Sequence, residues 1–208
     1  MLNAMIVDDH PFIRSAVRMV LKQQHYDVVA EAGNGADAVQ LAREHKPNLM
    51  VLDISMPGVD GMGALGRITD LRLPIKVIIL TALCATFFSM RCMRAGASGY
   101  VSKGDDLDEL VKAIDAIKAG YTFFPDLAMS SVRHDDAYAS ETAMIQRLSD
   151  RELSIFQQLA HGFSNQEIAD KMLLSSKTIS TYKARIIDKL KLKSLVHLAE
   201  FAKRNNLI

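Results

Sequence analysis

The feature that most constrains the fold is a regular alternation of short apolar runs with amphipathic stretches over the first 121 residues. Buried parallel strands read as continuous runs of Val, Ile and Leu. Strands that alternate with helices predict βα units joined by right-handed crossovers. The predicted strands are residues 4–7, 28–30, 49–52, 77–80 and 99–101, and the predicted helices are residues 11–24, 35–46, 61–71, 84–95 and 107–119.

Two domains are predicted within the 208 residues. Residues 1–121 are expected to form an α/β domain, a five-stranded parallel (βα)5 sandwich of the flavodoxin-like kind. Residues 144–208 show only helical patterns and are expected to form a small all-α domain. Residues 122–143 have weak periodicity and clustered polar side chains, which predicts a linker that is partly helical toward Ala143. An extra helix packed on the sheet remains an alternative for that stretch.

The charge of the chain is unevenly distributed. Residues 1–124 carry 13 Lys and Arg against 14 Asp and Glu, a net of −1, whereas residues 164–193 carry 7 against 3, a net of +4. A local basic segment indicates a polyanionic partner for that segment alone. No apolar stretch approaches the roughly 18 residues that span a bilayer, and no export signal is evident. We therefore expect a cytoplasmic protein without a membrane partner.

Cysteine usage supports a reducing compartment. Cys84 and Cys92 provide no disulfide framework. Two buried, reduced thiols are the favoured interpretation, and a redox pair is the alternative.

Carboxylates follow two of the predicted strands. Asp8 and Asp9 end the first apolar run, and Asp53 ends the third. Ligands of open α/β sheets bind beyond the carboxyl ends of the strands. Carboxylates gathered there repel one another, and hard cations such as Mg²⁺ relieve the repulsion with oxygen ligands. The pattern predicts a magnesium site at this edge.

A hydroxyl and an ammonium group are expected at the same edge. Thr81 follows the fourth run and Lys103 follows the fifth. Phosphoryl transfer to a carboxylate needs a nucleophile, a metal and further donors for developing charge. Taken singly, Asp53 could be a helix cap, Thr81 a turn residue and Lys103 a solvated cation. Their joint placement predicts that Asp53 is a phosphoryl acceptor.

Residues 2–120 resemble the receiver domain of two-component response regulators, which has the CheY-like fold. The resemblance is carried by Val7-Asp8-Asp9-His10, Leu52-Asp53-Ile54-Ser55-Met56-Pro57-Gly58-Val59-Asp60-Gly61, Leu80-Thr81-Ala82 and Ala95-Gly96-Ala97-Ser98-Gly99-Tyr100-Val101-Ser102-Lys103. It implies that Asp53 accepts a phosphoryl group from the phosphohistidine of a sensor histidine kinase or phosphotransfer domain.

The same resemblance implies roles for the residues around Asp53. The implied Mg²⁺ ligands are Asp8, Asp9, Asp53 and the backbone carbonyl of Ser55. Thr81 and Lys103 would bind phosphoryl oxygens, and Tyr100 would be the aromatic residue that reorients on activation. Many receivers have proline after the lysine, where Gly104 stands here, so a cis peptide is not carried over.

The second domain has the spacing of a helix-turn-helix. Ser149 with Glu152, and Ser164 with Glu167, predict two capping boxes. A short helix at 165–172 is followed by a tight turn and a longer helix. The predicted helices are residues 150–161, 165–172, 176–190 and 194–205.

The longer helix has two different faces. Ile179, Tyr182, Ile186 and Leu190 form one apolar stripe that should face the core. Small or hydroxylated side chains on the other face could approach base edges, with cations beside them for phosphates. An ordinary solvated helix is the alternative.

Residues 144–208 resemble the LuxR-type helix-turn-helix of NarL/FixJ response regulators. The matching motifs are Leu148-Ser149 with Arg151-Glu152, Ser164-Asn165-Gln166-Glu167-Ile168-Ala169, Lys177-Thr178-Ile179-Ser180-Thr181-Tyr182-Lys183-Ala184-Arg185, and Lys189-Leu190. The implied contacts with double-stranded DNA are Lys177, Thr178, Ser180, Thr181, Lys183, Ala184, Arg185 and Lys189. The family also implies a homodimer paired through the final helix. Residues 120–125 and 201–206 are similar to virulence regulators of this subfamily.

Three hypotheses for the function follow from the sequence. The favoured one is a transcription factor switched by phosphorylation, which is not an enzyme. Aspartyl-phosphate hydrolases share the strand-end nucleophile, but they place an acid/base aspartate two residues later, where this chain has Ser55. A receiver that no longer takes phosphate is the third reading, and the intact Asp, Thr and Lys set argues against it.

Overall fold

The computed structural model describes residues 2–56, 61–104, 107–125, 136–192, 194–205 and 207–208. The chain divides into two compact units, Met1–Pro125 and Asp126–Ile208. Within the described ranges, no helix combines the length and the apolar character that a membrane crossing would require.

The first unit contains a five-stranded parallel sheet, as predicted. Its strand order is β2-β1-β3-β4-β5. The strands are β1 (Leu2–Val7), β2 (Tyr26–Ala32), β3 (Leu49–Leu52), β4 (Lys76–Thr81) and β5 (Gly99–Ser102). Each apolar run lies within its strand because neighbouring strands and covering helices exclude water from both sides of the sheet.

Helices connect the strands of this sheet in the predicted places. They are α1 (Pro11–Gln23), α2 (Gly35–His45), α3 (Gly61–Asp70), α4 (Ala85–Arg94) and α5 (Leu107–Lys118). The strand order reverses direction after β2, so right-handed crossovers place α1 and α5 on one face and α2, α3 and α4 on the other. On the α1 and α5 face, Leu21 and Ile114 pack with Ile6, Val51 and Ile78 in one buried cluster.

The register of the sheet aligns the strand ends that carry the predicted site. Val7 of β1 lies opposite Leu52 of β3, so the residues that follow these two emerge side by side. The amide of Asp53 donates to the carbonyl of Val7 at 2.8 Å. At the other end of the site, Lys103 N–H donates to the carbonyl of Thr81, also at 2.8 Å.

Gly61 begins α3 where the backbone passes very close to the segment after β3. A Cβ atom at this position would lie 2.3 Å from the Cα of Ile54. Only a residue without a side chain fits there without moving the backbone next to Asp53.

The second unit is helical throughout its described residues. Its helices are α6 (Asp136–Gln146), α7 (Asp150–Ala160), α8 (Asn165–Met172), α9 (Ser176–Lys189) and α10 (Leu195–Arg204). Both predicted capping boxes are present, at Ser149 with Glu152 and at Ser164 with Glu167. The core of this unit is built around Phe156 and Phe201, whose rings meet edge to face with centroids 6.2 Å apart.

The stretch predicted as a linker contains helical structure toward Ala143, as expected, and a contact with the sheet that was not predicted. Phe123 bonds to the edge of β5, since its amide donates to the Ser98 carbonyl at 3.0 Å and its carbonyl accepts from Tyr100 at 2.7 Å. Helix α6 begins at Asp136, inside the predicted linker. Glu141 of α6 accepts hydrogen bonds from Arg204 and Asn205 at the end of α10.

Cys84 and Cys92 do not form a disulfide bond, and they differ in environment. Cys92 is fully buried, as expected for a small apolar side chain. The prediction of a second buried thiol is wrong for Cys84, which is only half-buried because it caps the start of α4 at the rim of the sheet.

Candidate functional site

Two buried carboxylates and one lysine meet at the carboxyl edge of the sheet. Asp8 is 2% exposed and Asp53 is 1% exposed. The Lys103 Nζ lies 2.7 Å from Asp53 Oδ2 and 2.8 Å from Asp8 Oδ2. The structure therefore brings together side chains from the ends of β1, β3 and β5 that are distant in the sequence.

The ammonium group of Lys103 is held in its charged form. Burial by itself would lower the pKa of Lys103, but the charge of Asp53 and hydrogen bonds to Asp53 and Asp8 outweigh burial and raise the pKa. A single ammonium does not neutralise this edge, since Asp9 supplies a third carboxylate beside it. Three carboxylates and one ammonium leave a formal charge of −2.

The other oxygen of Asp53 is bound by Ser55. The Ser55 amide donates to Asp53 Oδ1 at 2.8 Å, and the Ser55 hydroxyl donates to the same oxygen at 2.7 Å. Thr81 is fully buried, and its hydroxyl lies 3.4 Å from the Ser55 hydroxyl. Thr81 therefore reaches Asp53 through Ser55, and the hydroxyl of Ser55 is a contact that the sequence argument missed.

The donor set at this edge fits a hard divalent cation. Asp9 Oδ1 is shielded from solvent, and among the described residues it accepts no hydrogen bond, although the His10 Nδ1 lies 2.9 Å away. Asp8, Asp9 and His10 place potential ligand atoms within 4.8 Å of one another. Carboxylate oxygens with a residual charge of −2 match the preferences of Mg²⁺.

Tyr100 is buried beneath the loop that follows β4. Its side chain is 1% exposed, and its hydroxyl donates to the backbone carbonyl of Leu83 at 2.7 Å. Burial raises the pKa of Tyr100, so its phenol stays protonated and remains a donor. Leu83 lies two residues after Thr81, and its amide is 3.4 Å from the Thr81 hydroxyl. Leu83 is thus contacted at its amide and at its carbonyl by side chains of the predicted site.

Arg14 supports the loop that carries Asp8 and Asp9. Its guanidinium donates to the backbone carbonyl of Asp8 at 2.7 Å and lies 3.4 Å from a carboxylate oxygen of Glu31 on β2. Arg18, one turn further along α1, also bonds to Glu31. Arg14 was not predicted from the sequence as a site residue, although its position in the first turn of the helix after Asp9 is a signal that could have identified it.

Helix α9 presents the predicted polar face to solvent. Ile179, Ile186 and Leu190 are buried and Tyr182 is half-buried, so the apolar stripe faces the core as predicted. The predicted contact residues with exposed side chains are Lys177, Ser180, Thr181, Ala184, Arg185 and Lys189, whereas Thr178 and Lys183 are half-exposed. The small side chains and the cations therefore share one accessible surface.

Lys189 differs from the other predicted contacts because it already has a carboxylate partner. Its Nζ lies 2.6 Å from Glu152 Oε2, and Glu152 is itself the closing residue of the α7 capping box. Burial raises the pKa of Glu152, but hydrogen bonds from Lys189 and Ser149 outweigh it, and the net pKa is lowered. Lys189 therefore ties α9 to α7 in this structure.

Two known families match the two units. Residues 4–115 match the response regulator receiver domain family. Residues 146–202 match the LuxR family of bacterial regulatory proteins. The chain is a response regulator of the LuxR family. It belongs with DNA-binding transcription regulators and not with enzymes.

Relatives of this response regulator align along its whole length. The chain is 46% identical to the virulence-factor transcription regulator BvgA of Bordetella pertussis, over 99% of this chain and 98% of BvgA. It is 36% identical to the DNA-binding transcriptional activator EvgA of Escherichia coli K12, over 99% of this chain and all of EvgA. The predicted similarity of the chain to virulence regulators of this subfamily is thereby confirmed.

Solved structures show the same architecture. RcsB of Salmonella enterica serovar Typhimurium, bound to the promoter rprA in the presence of the phosphomimetic BeF3⁻, aligns over 98% of this chain and 99% of its own, with a TM-score of 0.67 and 26% identity. A LuxR-family response regulator from Aurantimonas aligns over 61% of this chain and 92% of its own, with a TM-score of 0.57 and 39% identity.

Part of the receiver motif lies outside the described residues. The segment from Pro57 to Asp60 follows the Ser55 loop and belongs to the motif on which the resemblance rests. The contacts described above involve only residues on either side of that segment.

Proposed function

We propose that Asp53 is the phosphoryl acceptor of this response regulator. A carboxylate oxygen of Asp53 would form the new P–O bond as the P–N bond of a phosphohistidine on a sensor histidine kinase or phosphotransfer domain breaks. The observation that carries the proposal is the Lys103 ammonium 2.7 Å from Asp53, in a pocket that Thr81 and Ser55 also line. Lys103 would stabilise charge on the transferred group as a point cation.

The proposed metal is Mg²⁺, held by Asp8, Asp9, Asp53 and the backbone carbonyl of Ser55. Support comes from the residual negative charge of the pocket and from the shielded Asp9 oxygen, which accepts no hydrogen bond among the described residues although His10 Nδ1 lies 2.9 Å away. When bound, the ion would neutralise charge on the phosphoryl oxygens. The side chains of the pocket would orient the acceptor and hold the surrounding loops.

The proposed switch acts through the short loop after β4, in which Leu83 contacts both Thr81 and Tyr100. A phosphoryl group adds a charge of roughly −1.5 to −2 beside Thr81 and Lys103. Moving a two-state equilibrium from 1:99 to 99:1 needs about 5.5 kcal/mol of differential binding. Charge-assisted hydrogen bonds of about 1.5–3 kcal/mol each are sufficient if two or three form in one state only. Tyr100 is well placed to report the change because it binds the carbonyl of Leu83 in that loop.

The phosphoacceptor proposal is tested by Asp53→Asn. We expect the variant to lose labelling by acetyl phosphate in the presence of Mg²⁺, because an amide is not a nucleophile of comparable strength. The matched control is Asp115→Asn, the same change on the exposed side of α5, which should label like the wild type. Labelling of the Asp53 variant at the wild-type level would move the acceptor to another residue.

We further propose that the second unit binds double-stranded DNA through α9. The proposed contacts are Lys177, Thr178, Ser180, Thr181, Lys183, Ala184, Arg185 and Lys189. Their support is the accessible basic surface of α9, the match to the LuxR family and the DNA complex of RcsB. Lys189 would have to share its charge between Glu152 and a phosphate, so we expect its contribution to be the smallest among the cations.

The domain boundaries, the oligomeric state and the cellular location are also proposed. We propose a receiver over residues 1–121, a linker over 122–143 and a DNA-binding domain over 144–208. A homodimer paired through α10 and a cytoplasmic location are also proposed, in keeping with the RcsB dimers bound to DNA. The division of the chain into units at Pro125 supports the proposed end of the receiver.

A further inference from the structure

The hydroxyl of Ser180 is already engaged by two neighbours on the surface of α9. Ser180 Oγ donates to the backbone carbonyl of Ser176 at 3.0 Å. The side-chain amide of Asn165, at the start of α8, donates to the same Oγ at 3.0 Å. Ser180 is exposed, so the group remains accessible from the face that also presents Lys177 and Thr181.

The number of donors and acceptors on a hydroxyl determines which further hydrogen bonds Ser180 can form. A serine hydroxyl has one hydrogen to donate and two lone pairs that accept. In this structure the hydrogen is used by Ser176 and one lone pair is used by Asn165, so a single lone pair is left. The two bonds run in one direction, from Asn165 through Ser180 to Ser176, and each bond polarises and strengthens the other.

Thr181 provides a contrast on the same surface. Its hydroxyl donates to the carbonyl of Lys177 at 3.1 Å. Among the described residues no side chain donates to it in return, so both of its lone pairs are free. The hydroxyl of Thr181 can therefore turn more easily than that of Ser180.

We propose that Asn165 holds the Ser180 hydroxyl as an acceptor, so that α9 selects a base with an exocyclic amino group. In the major groove, adenine presents its N6 amino group and cytosine its N4 amino group, whereas guanine and thymine present carbonyl oxygens at the equivalent place. Ser180 then favours adenine or cytosine on the strand that it faces. Asn165 is a positioning residue in this arrangement. The inference rests on the proposed DNA binding through α9.

The test uses the full-length chain and duplexes selected by it from random DNA. At each adenine or cytosine of a selected half-site, the base is replaced by purine or 2-pyrimidinone, which lack only the amino group. Wild-type binding should weaken about fivefold at one position, the effect of one neutral hydrogen bond. Ser180→Ala should show less than a twofold loss at that position, because it has no acceptor to leave unpaired.

Asn165→Ala and Gln166→Ala separate positioning from a general effect on α8. Asn165→Ala frees the Ser180 hydroxyl, so discrimination between amino and carbonyl bases at that position should fall to within about twofold. Gln166 bonds within its own helix, to Asp170 at 2.8 Å, so its alanine variant should discriminate like the wild type. Binding to random DNA should be the same for both variants.

Three outcomes would overturn the inference. One is an amino-group effect that is equally large in Ser180→Ala, and another is unchanged discrimination in Asn165→Ala. The third is an equal loss on all duplexes in Ser180→Ala, which would make Ser180 a phosphate contact. A wild-type chain that binds selected and random duplexes equally weakly would instead contradict the proposed DNA binding itself.

Discussion

Gly61 shows how one missing side chain supports the chemistry of a residue eight positions earlier. The backbone at Ile54 approaches so closely that a Cβ on residue 61 would lie 2.3 Å from it. Ile54 follows Asp53 directly, and Ser55 binds the Asp53 carboxylate through its amide and hydroxyl. A displacement at Ile54 is therefore passed on to the orientation of the proposed acceptor.

We expect Gly61→Ala to destabilise the first unit by about 1–3 kcal/mol, the usual effect of forcing extra volume into packed structure. Gly66→Ala is the matched control in the same helix, since a Cβ there meets no atom within 4 Å. It should stabilise by about 0.5–1 kcal/mol through helix propensity. Urea denaturation measures both changes. Equal effects of the two substitutions would show that the close approach to Ile54 has no energetic consequence.

Helix α1 does more than cover the sheet, because its first turns fix the loop that carries Asp8 and Asp9. Arg14 binds the carbonyl of Asp8 and faces Glu31 on β2. Arg18 binds Glu31 but not the Asp8 carbonyl. Groups that orient metal ligands from behind typically change affinity about 10- to 100-fold when they are altered.

We expect Arg14→Lys to weaken Mg²⁺ binding about tenfold. The charge is retained, but one ammonium group cannot reproduce the forked contact with both the Asp8 carbonyl and Glu31. Arg18→Lys, the same substitution one turn later, should stay within about twofold of the wild type. Isothermal titration calorimetry with MgCl2 gives the dissociation constants. If both variants bind Mg²⁺ equally well, Arg14 has no positioning role.

The contact between α7 and α9 is sensitive to acid. The folded chain lowers the pKa of Glu152 from its ordinary value of 4.5, since the bonds from Lys189 and Ser149 outweigh burial. A carboxyl whose pKa is depressed by folding contributes stability that is complete above the unfolded pKa and is lost as the pH falls through the folded pKa. This part of the stability should therefore disappear below about pH 4.5.

We expect Glu152→Gln to be less stable than the wild type by about 1.5–3 kcal/mol at pH 7, the range for hydrogen bonds to charged groups. The difference should shrink as the pH falls below 4.5, where the wild-type carboxyl also becomes neutral. Glu167 closes the equivalent capping box on α8, in an exposed position and without an ion pair to α9. Glu167→Gln should therefore have a smaller effect. Thermal melts between about pH 3 and pH 7, which includes the ordinary pKa of Glu, measure the stability difference at each pH. A constant difference at every pH would exclude ionisation as the cause.

Charge is distributed over the chain according to the two proposed roles. The near-neutral total of +1 conceals a first unit with slightly more acidic than basic residues and a strongly basic stretch around α8 and α9. Three acidic groups of the first unit, Asp8, Asp9 and Asp53, converge on one pocket, whereas the cations of α9 are spread over an accessible surface. Long-range attraction of DNA should therefore depend on few residues, most of them on α9.

We expect Lys183→Ala to weaken binding to all duplexes and to reduce the slope of log affinity against log salt by about one, the effect of one lost phosphate contact. Lys22→Ala removes the same side chain from an exposed site in the first unit and should leave the slope unchanged. Fluorescence anisotropy at several salt concentrations gives both slopes. A loss confined to particular sequences would instead identify Lys183 as a base contact.

Sequence patterns predicted the sheet closely because burial acts on short, local runs. The run at residues 49–52 is the whole of β3, and the placement of Lys103 near Asp53 follows from strand order alone. The contacts of the Ser55 hydroxyl and of Arg14 were not predicted because they depend on the path of loops, which periodicity does not indicate. Helical structure toward Ala143 was predicted, but the pairing of Glu141 with Arg204, 63 residues away, was not, because such a contact leaves no local signal.

The pairing of Val7 with Leu52 determines whether Asp53 reaches the proposed phosphoryl site. Side chains alternate between the two faces of a strand, so a slip of one residue would turn every side chain of β3 over. The sheet could still bury an apolar run, because both of its faces are covered. Asp53 would then no longer meet Lys103, and a deletion as small as one residue could abolish signalling in a chain that still folds.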